Sequence, residues 1–280
     1  MILLDLDDTL LDHTAASAEA AQWFGERHAQ RIPAFDPTEF AEHWNQTLEA
    51  AYSRFLRGEI SFQEQRRLRI RSIFAAPDME AAHADALFND YLERYEAAWR
   101  LFPDVLPFLD AHRHRGLAII SDGDQDQQRR KLERTGIAGS FQAVVTADLA
   151  GCCKPDARIF QRACELLNIR TNAAAYIGDH PDKDALGACR AGMRGMWLNR
   201  RGKPARDGLE MLTSLGQFHL VAGDRRKNVA EPAQNSQADM QEDAVSPVTQ
   251  AIDAKPAEPG QPIEPILIQE KERDLRRVVW

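Results

Sequence analysis

Five short apolar runs, at residues 1–4, 117–120, 143–145, 174–177 and 195–198, each end abruptly in small or polar residues. Between the later runs lie segments of helical length and pattern, at 126–134, 157–168 and 182–191. A strand that is apolar throughout must be covered on both faces, and alternation with helices is how a parallel sheet achieves that cover. The pattern therefore points to an α/β fold whose parallel strands are joined by right-handed crossovers.

The interval between the first two runs breaks this rhythm. Roughly a dozen residues suffice for a crossover between parallel strands, and here residues 5–116 intervene. Much of the interval is helical by pattern. Phe40, Trp44, Leu48, Ala51, Tyr52 and Phe55 recur at helical spacing, as do Leu87, Tyr91, Tyr95 and Trp99. Such stripes face a core in most cases, so both are read as packing rather than as a cofactor box. The expected organisation is a core made of residues 1–12 and 100–221, with an inserted helical module at 13–99.

The tail is different in composition. Residues 222–265 carry six prolines, at 232, 247, 256, 259, 262 and 265, among many Ala, Gln, Glu and Asp. Such a segment has little apolar surface to offset its ordering entropy, so a disordered linker is expected. Residues 266–280 regain apolar side chains and could form a short helix. The main reading of the tail is a solubilising extension with no specific partner. The alternative is that these apolar residues dock on a groove of this protein or of a protein partner.

Bulk properties exclude several classes. The net charge of -8 gives no electrostatic reason to expect nucleic-acid binding. No apolar stretch is long enough to cross a bilayer, and residues 1–5 do not read as a signal peptide. Cys152, Cys153, Cys164 and Cys189 lack the paired spacing of a zinc site. A cytoplasmic protein with reduced thiols is expected.

Chemistry-bearing residues follow the apolar runs. Asp5-Leu6-Asp7-Asp8-Thr9-Leu10 follows the first, and alternation along an extended segment allows Asp5 and Asp7 to point the same way. Two carboxylates at a buried strand end are costly unless a cation or hydrogen bonds hold them. Ser121-Asp122-Gly123 follows the second run and offers a hydroxyl with glycine-freed backbone amides for phosphate oxygens. Lys154-Pro155-Asp156 follows the third, where the lysine suits a phosphate charge. Gly178-Asp179-His180-Pro181-Asp182-Lys183-Asp184 follows the fourth, where Asp179 and Asp184 suit one divalent metal or the ordering of its ligands. Singly, each motif is equally at home in a turn or a helix cap.

In this order, and each at a strand end, the four resemble the signatures of the haloacid dehalogenase superfamily: DxDxT, a Ser or Thr ending a strand, a Lys before a helix, and GD with a second Asp. The resemblance extends over residues 1–220. Lys154-Pro155-Asp156-Ala157-Arg158-Ile159-Phe160 is similar to the KPDxxIF sequence of one subfamily, and the insertion after the first motif falls where that family carries its helical C1 cap. The resemblance implies a Rossmann-like parallel sheet with an inserted cap and a Mg2+-dependent phosphatase, nucleotidase-like or sugar-phosphatase-like, acting on a small phosphorylated metabolite. It implies Asp5 as nucleophile forming an aspartyl-phosphate and Asp7 as the acid and then base. It implies Mg2+ on Asp5, the Asp7 backbone carbonyl and Asp179, with Asp184 supporting that shell. Ser121 and Lys154, with Asp122 and Gly123 beside them, would meet the phosphoryl oxygens.

Asp7 separates branches of that superfamily, because its dehalogenases expel a halide that needs no proton and lack the second carboxylate. Asp122 departs from the Asn common in related phosphatases, which leaves its role open. Arg66, Arg67, Arg69 and Arg71 form a basic cluster in the inserted module, read mainly as a solvated helix face, the alternative being a contact to a second anionic group on the substrate. Three other readings stay open: a phosphomutase with the same core, a receiver-type signalling domain, and an interaction role carried by the tail. The receiver reading conflicts with a DxD on the first strand followed by a large insertion.

Overall fold

The computed structural model describes residues 1–219. The expected linker at 222–265 and terminal helix at 266–280 lie outside the described residues.

The sheet is wholly parallel. Its strands are β1 (Ile2–Leu4), β2 (Leu117–Ser121), β3 (Ala143–Thr146), β4 (Ala175–Gly178), β5 (Arg194–Leu198) and β6 (Glu210–Leu212), in the order β3-β2-β1-β4-β5-β6. Strands β1 to β4 are buried along their whole length, which is why they read as unbroken apolar runs. β6 was not expected. It is a three-residue edge strand with two exposed residues, so it carries no apolar signature.

β1 lies between β2 and β4, with Leu4 opposite both Ile119 and Ile177. The chain runs outward one way through β2 and β3, and the other way through β4, β5 and β6. The β1–β4 boundary is therefore a switch point, where the loops leaving the strand ends diverge and open a crevice. This places Asp5, immediately after β1, at the middle of the sheet edge that carries the crevice.

The flanking helices are α5 (Val105–His112), α6 (Gln125–Arg134), α7 (Ala147–Ala150), α8 (Ala157–Leu166) and α9 (Gly187–Arg190). Ile159, Phe160, Ala163 and Cys164 of α8 pack on Leu3, Ile120, Val145 and Tyr176. Each large apolar side chain buried in this way is worth about 1.5–3 kcal/mol against exposure. The helix expected over 182–191 opens as a wider, π-wound segment (Pro181–Leu186) before α9. All four cysteines are free thiols, and among the described residues no helix is long and apolar enough to cross a membrane.

Between β1 and α5 stand the cap helices α1 (His13–His28), α2 (Phe40–Leu56), α3 (Phe62–Ile73) and α4 (Ala81–Ala97). Side chains start two of them: Asp12 Oδ1 accepts from the Ala15 amide at 3.1 Å, and Ser61 Oγ from the Glu64 amide at 3.1 Å. Their shared core is aromatic. Trp44 sits 5.1 Å from Phe24 and 4.4 Å from Tyr91 between ring centroids, and Tyr91 stacks on Tyr95 at 5.8 Å.

Candidate active site

Asp5 is buried and held from two sides. Lys154 Nζ donates to Oδ1 at 2.7 Å, and Thr9 Oγ1 donates to Oδ2 at 3.2 Å. The loop that carries it is braced from outside, since the Arg200 guanidinium donates to the Thr9 carbonyl at 3.1 and 2.8 Å while pairing with Asp104.

Lys154 also donates to Asp184 Oδ1 at 2.7 Å, and its Nζ lies 3.3 Å from the Tyr176 hydroxyl. Asp184 is buried, accepts from the His180 amide through Oδ2 at 2.9 Å, and lies against Gly178, where a Cβ would collide with its carboxyl group. A glycine before Asp179 is thus what lets Asp184 reach the lysine. Burial alone would pull the Lys154 ammonium down, but Asp184 and Asp5 outweigh it and hold its pKa well above the ordinary lysine value.

One oxygen from each of Asp5, Asp179 and Asp184 lies within 4.8 Å of the others. Burial pushes Asp5 well above the usual carboxylate range, with Asp184 and Asp179 adding to the rise and Lys154 opposing it. Burial, then repulsion from Asp184 and Asp8, pushes Asp179 up to about 7. Three hard oxygen donors that repel one another fit a small divalent cation, which would relieve that repulsion.

Asp7 faces a second lysine. Lys131 Nζ donates to its two oxygens at 2.6 and 2.8 Å, and Gln128 Nε2 donates to Oδ2 at 2.8 Å. Burial favours the neutral acid, but Lys131, His13 and Gln128 outweigh it and lower Asp7 to about 2. Gln128 also donates to Ser121 Oγ at 2.6 Å, and Ser121 Oγ accepts from the Gly123 amide at 3.1 Å. One amide side chain therefore ties Asp7 to Ser121.

Asp122, the departure noted in the sequence, has its Oδ1 occupied by the Lys154 amide at 2.8 Å. Its backbone carbonyl accepts from the Tyr52 hydroxyl at 2.7 Å, which joins cap helix α2 to the loop after β2. That carboxylate is committed to the backbone of the neighbouring loop.

A cavity of about 630 Å³ lies over these groups, lined by Asp5, Asp7, Ser121, Asp122, Gly123, Lys154, Asp179 and Asp184 below and by cap residues above. The structure brings all eight of these motif residues to one cavity. It extends one expectation and corrects another. Leu48, Tyr52, Tyr91 and Tyr95 of the aromatic stripes line this cavity as well as packing. Nor is the arginine cluster one solvated face: Arg67 and Arg71 pair with Asp85 and Glu64, whereas Arg66 and Arg69 line the cavity and Arg69 is buried.

Sequence reasoning missed Gln128, Lys131, Tyr176 and His13. His13 Nδ1 lies 2.6 Å from the Tyr95 hydroxyl, and the Tyr95 ring centroid lies 5.7 Å from Lys131 Nζ. The one usable signal was the step of three between Gln128 and Lys131, next to Leu132, on a helix that follows the second motif.

Residues 1–192 match the family of haloacid dehalogenase-like hydrolases. The chain belongs to that family. Among haloacid dehalogenase-like relatives, it is 31% identical over 229 residues to the phosphoserine phosphatase of Thermus thermophilus, covering 73% of this chain and 90% of the relative. It is 36% identical over 138 residues to the glyceraldehyde 3-phosphate phosphatase of Methanopyrus kandleri, covering 49% of this chain and 58% of that one. The magnesium-bound structure of the HAD-hydrolase YfnB from Bacillus subtilis superposes with a TM-score of 0.64 at 22% identity, over 77% of this chain and 94% of that one. The 2-haloacid dehalogenase of Pseudomonas syringae superposes at 0.57 with 28% identity, over the same 77% and 94%. The fold is thus shared with a dehalogenase, and the phosphatase relatives together with Asp7 put this haloacid dehalogenase-like chain on the phosphatase side.

Proposed function

We propose that the protein hydrolyses a small phosphate monoester in two in-line displacements, using Mg2+. The observation that carries the reading is the meeting in one cavity of Asp5, Ser121 and Asp179 from the ends of three neighbouring strands with Lys154 from the loop before α8, and with Asp7 two residues beyond Asp5. The match to a phosphatase over 90% of its length supports a small phosphorylated metabolite.

Asp5 attacks phosphorus, and the P–O bond to the alcohol breaks as an aspartyl-phosphate forms. Asp7 supplies the proton to the departing oxygen and afterwards takes one from the attacking water. Water then displaces Asp5, which releases inorganic phosphate. Ser121 and Lys154 hold phosphoryl oxygens, the electrostatic work that dominates such transfers. Mg2+ would be held by the Asp5 carboxylate, the Asp7 backbone carbonyl and Asp179, with Asp184 ordering the shell, and when bound it neutralises charge on the phosphoryl group. Lys131 holds free Asp7 ionised, so a phosphate dianion beside it is what raises its proton affinity toward the acid role.

The test is a panel of phosphorylated metabolites with Mg2+, read as inorganic phosphate. Release that requires both Mg2+ and Asp5 supports the reading. No release from any member, p-nitrophenyl phosphate included, refutes it.

A further inference from the structure

α3 divides its arginines by helical face. Arg67 donates to Asp85 through Nε and Nη2 at 2.8 and 2.7 Å, and Arg71 to Glu64 at 2.6 Å, so both outer charges are neutralised. Gln65, Arg66 and Arg69, at steps of three and four, turn to the cavity.

Arg69 is only 4% exposed, and its buried Nε and Nη2 have no hydrogen-bond partner among the described residues. Rings enclose it: its Cζ lies 4.7 Å from the Trp44 centroid, 5.2 Å from Phe88 and 5.5 Å from Tyr91. Ring faces hold the plane of a guanidinium, and the Tyr91 hydroxyl supplies Arg69 one polar neighbour, but Nε and Nη2 are left without acceptors among the described residues. Arg66 stacks on Phe62 at 4.4 Å and on the same Phe88 at 5.1 Å, and it makes no ion pair within 4 Å among the described residues. Gln65 Oε1 is buried beside them and lacks a donor. Glu42 and Glu49 also line the cavity, yet neither comes within 4 Å of either guanidinium.

Buried donors of a charged group left without acceptors are costly, and buried polar groups in native proteins are otherwise satisfied. Packing explains the rings around Arg69 but not its idle donors. We propose that Arg69, assisted by Arg66, binds a second oxyanion of the substrate, at the end away from the scissile phosphate. The preferred substrates are then phosphate monoesters that also carry a carboxylate or a second phosphate. This rests on the phosphatase reading and names the substrate class for it.

Two substrate pairs test it on the full chain with Mg2+: 3-phosphoglycerate against glycerol 3-phosphate, and fructose 1,6-bisphosphate against fructose 6-phosphate. The doubly anionic member of at least one pair should be preferred by about tenfold or more in kcat/KM, the scale of one charge-assisted hydrogen bond. Which pair responds separates a carboxylate from a second phosphate. Arg69→Met should remove that preference, mainly through KM, and Arg66→Gln should weaken it and serves if Arg69→Met does not fold. No preference in either pair, or one that survives both substitutions, overturns the proposal. If not even p-nitrophenyl phosphate is turned over, the phosphatase reading fails separately. Calorimetric titration of 3-phosphoglycerate and fructose 1,6-bisphosphate into Asp5→Asn protein then reads the subsite directly. Weaker binding on adding Arg69→Met supports it, and unchanged binding overturns it.

Discussion

Lys131 Nζ lies 2.6 and 2.8 Å from the two carboxylate oxygens of Asp7, and the lysine is buried while Asp7 is partly open to the cavity. The proposed proton shuttle is thus clamped as an anion by a cation from a helix that contributes no motif residue.

That clamp has a pH signature. Asp7 is lowered from the usual carboxylate value to about 2, so folding favours its ionised form. The stabilisation, about 2 kcal/mol by linkage, is fully present above the unfolded pKa of about 4 and disappears as pH falls through about 2. Lys131→Met leaves burial acting on Asp7 with only His13 and Gln128 against it, so it should lower stability at pH 7, and the gap should narrow between pH 4 and pH 2. Denaturant unfolding across that range, without metal, measures it. A gap independent of pH would mean that the lysine stabilises by packing alone.

Asp5→Asn removes the attacking oxygen with little change in volume. Turnover of p-nitrophenyl phosphate should fall by at least about 10³-fold, the scale seen when a nucleophile is removed. Circular dichroism checks that the fold persists. Activity near wild type would exclude Asp5 as the nucleophile.

The strands and strand-end residues were legible because a central parallel strand is apolar on both faces and its polar residues can sit only at its ends. Asp5, Ser121, Asp179 and their neighbours announced themselves in that way. Gln128 and Lys131 did not. α6 reads Gln-Asp-Gln-Gln-Arg-Arg-Lys-Leu-Glu-Arg, and nothing in so polar a helix marks those two as buried. Their burial is set by where the helix lands beside Asp7, which is tertiary information. The arginines of α3 misled for a related reason. A cluster of charges resembles a solvated face until the structure shows which members point at Asp85 and Glu64 and which at the cavity. Tyr52 was read correctly as helical and apolar-facing, but its hydroxyl reaches the Asp122 carbonyl across the cavity wall.

Metal binding should couple to pH through Asp179, which burial and its acidic neighbours raise to about 7. A raised carboxylate favours its protonated form in the folded state, so stability without metal should decline as pH rises from about 4 through about 7. Mg2+ competes with that proton and stabilises the folded chain by mass action. The rise in Tm on adding Mg2+ should therefore be larger at pH 8 than at pH 5.5, and Asp179→Asn should flatten the difference. Differential scanning fluorimetry measures both. An equal rise at the two pH values would detach the cation from this carboxylate.

Gly123 makes the last case. A Cβ built there would strike the amide end of Gln128, with its Cδ only 2.6 Å away. Gln128 is fully buried and ties Asp7 Oδ2, at 2.8 Å, to Ser121 Oγ, at 2.6 Å. Gly123→Ala should therefore displace that side chain, cost about 1–3 kcal/mol as overpacking does, and lower kcat by loosening Asp7. The backbone of Gly123 is not among the positive-φ glycines, so the cost is steric and removable. Replacing Gln128 with Ala clears the collision, and Gly123→Ala should then add little further destabilisation in the double variant. A double-mutant cycle in denaturant measures the coupling, expected on the order of 1–3 kcal/mol in the relieving direction. Simple additivity would show that the glycine is needed for the path of the loop and not for the approach of Gln128.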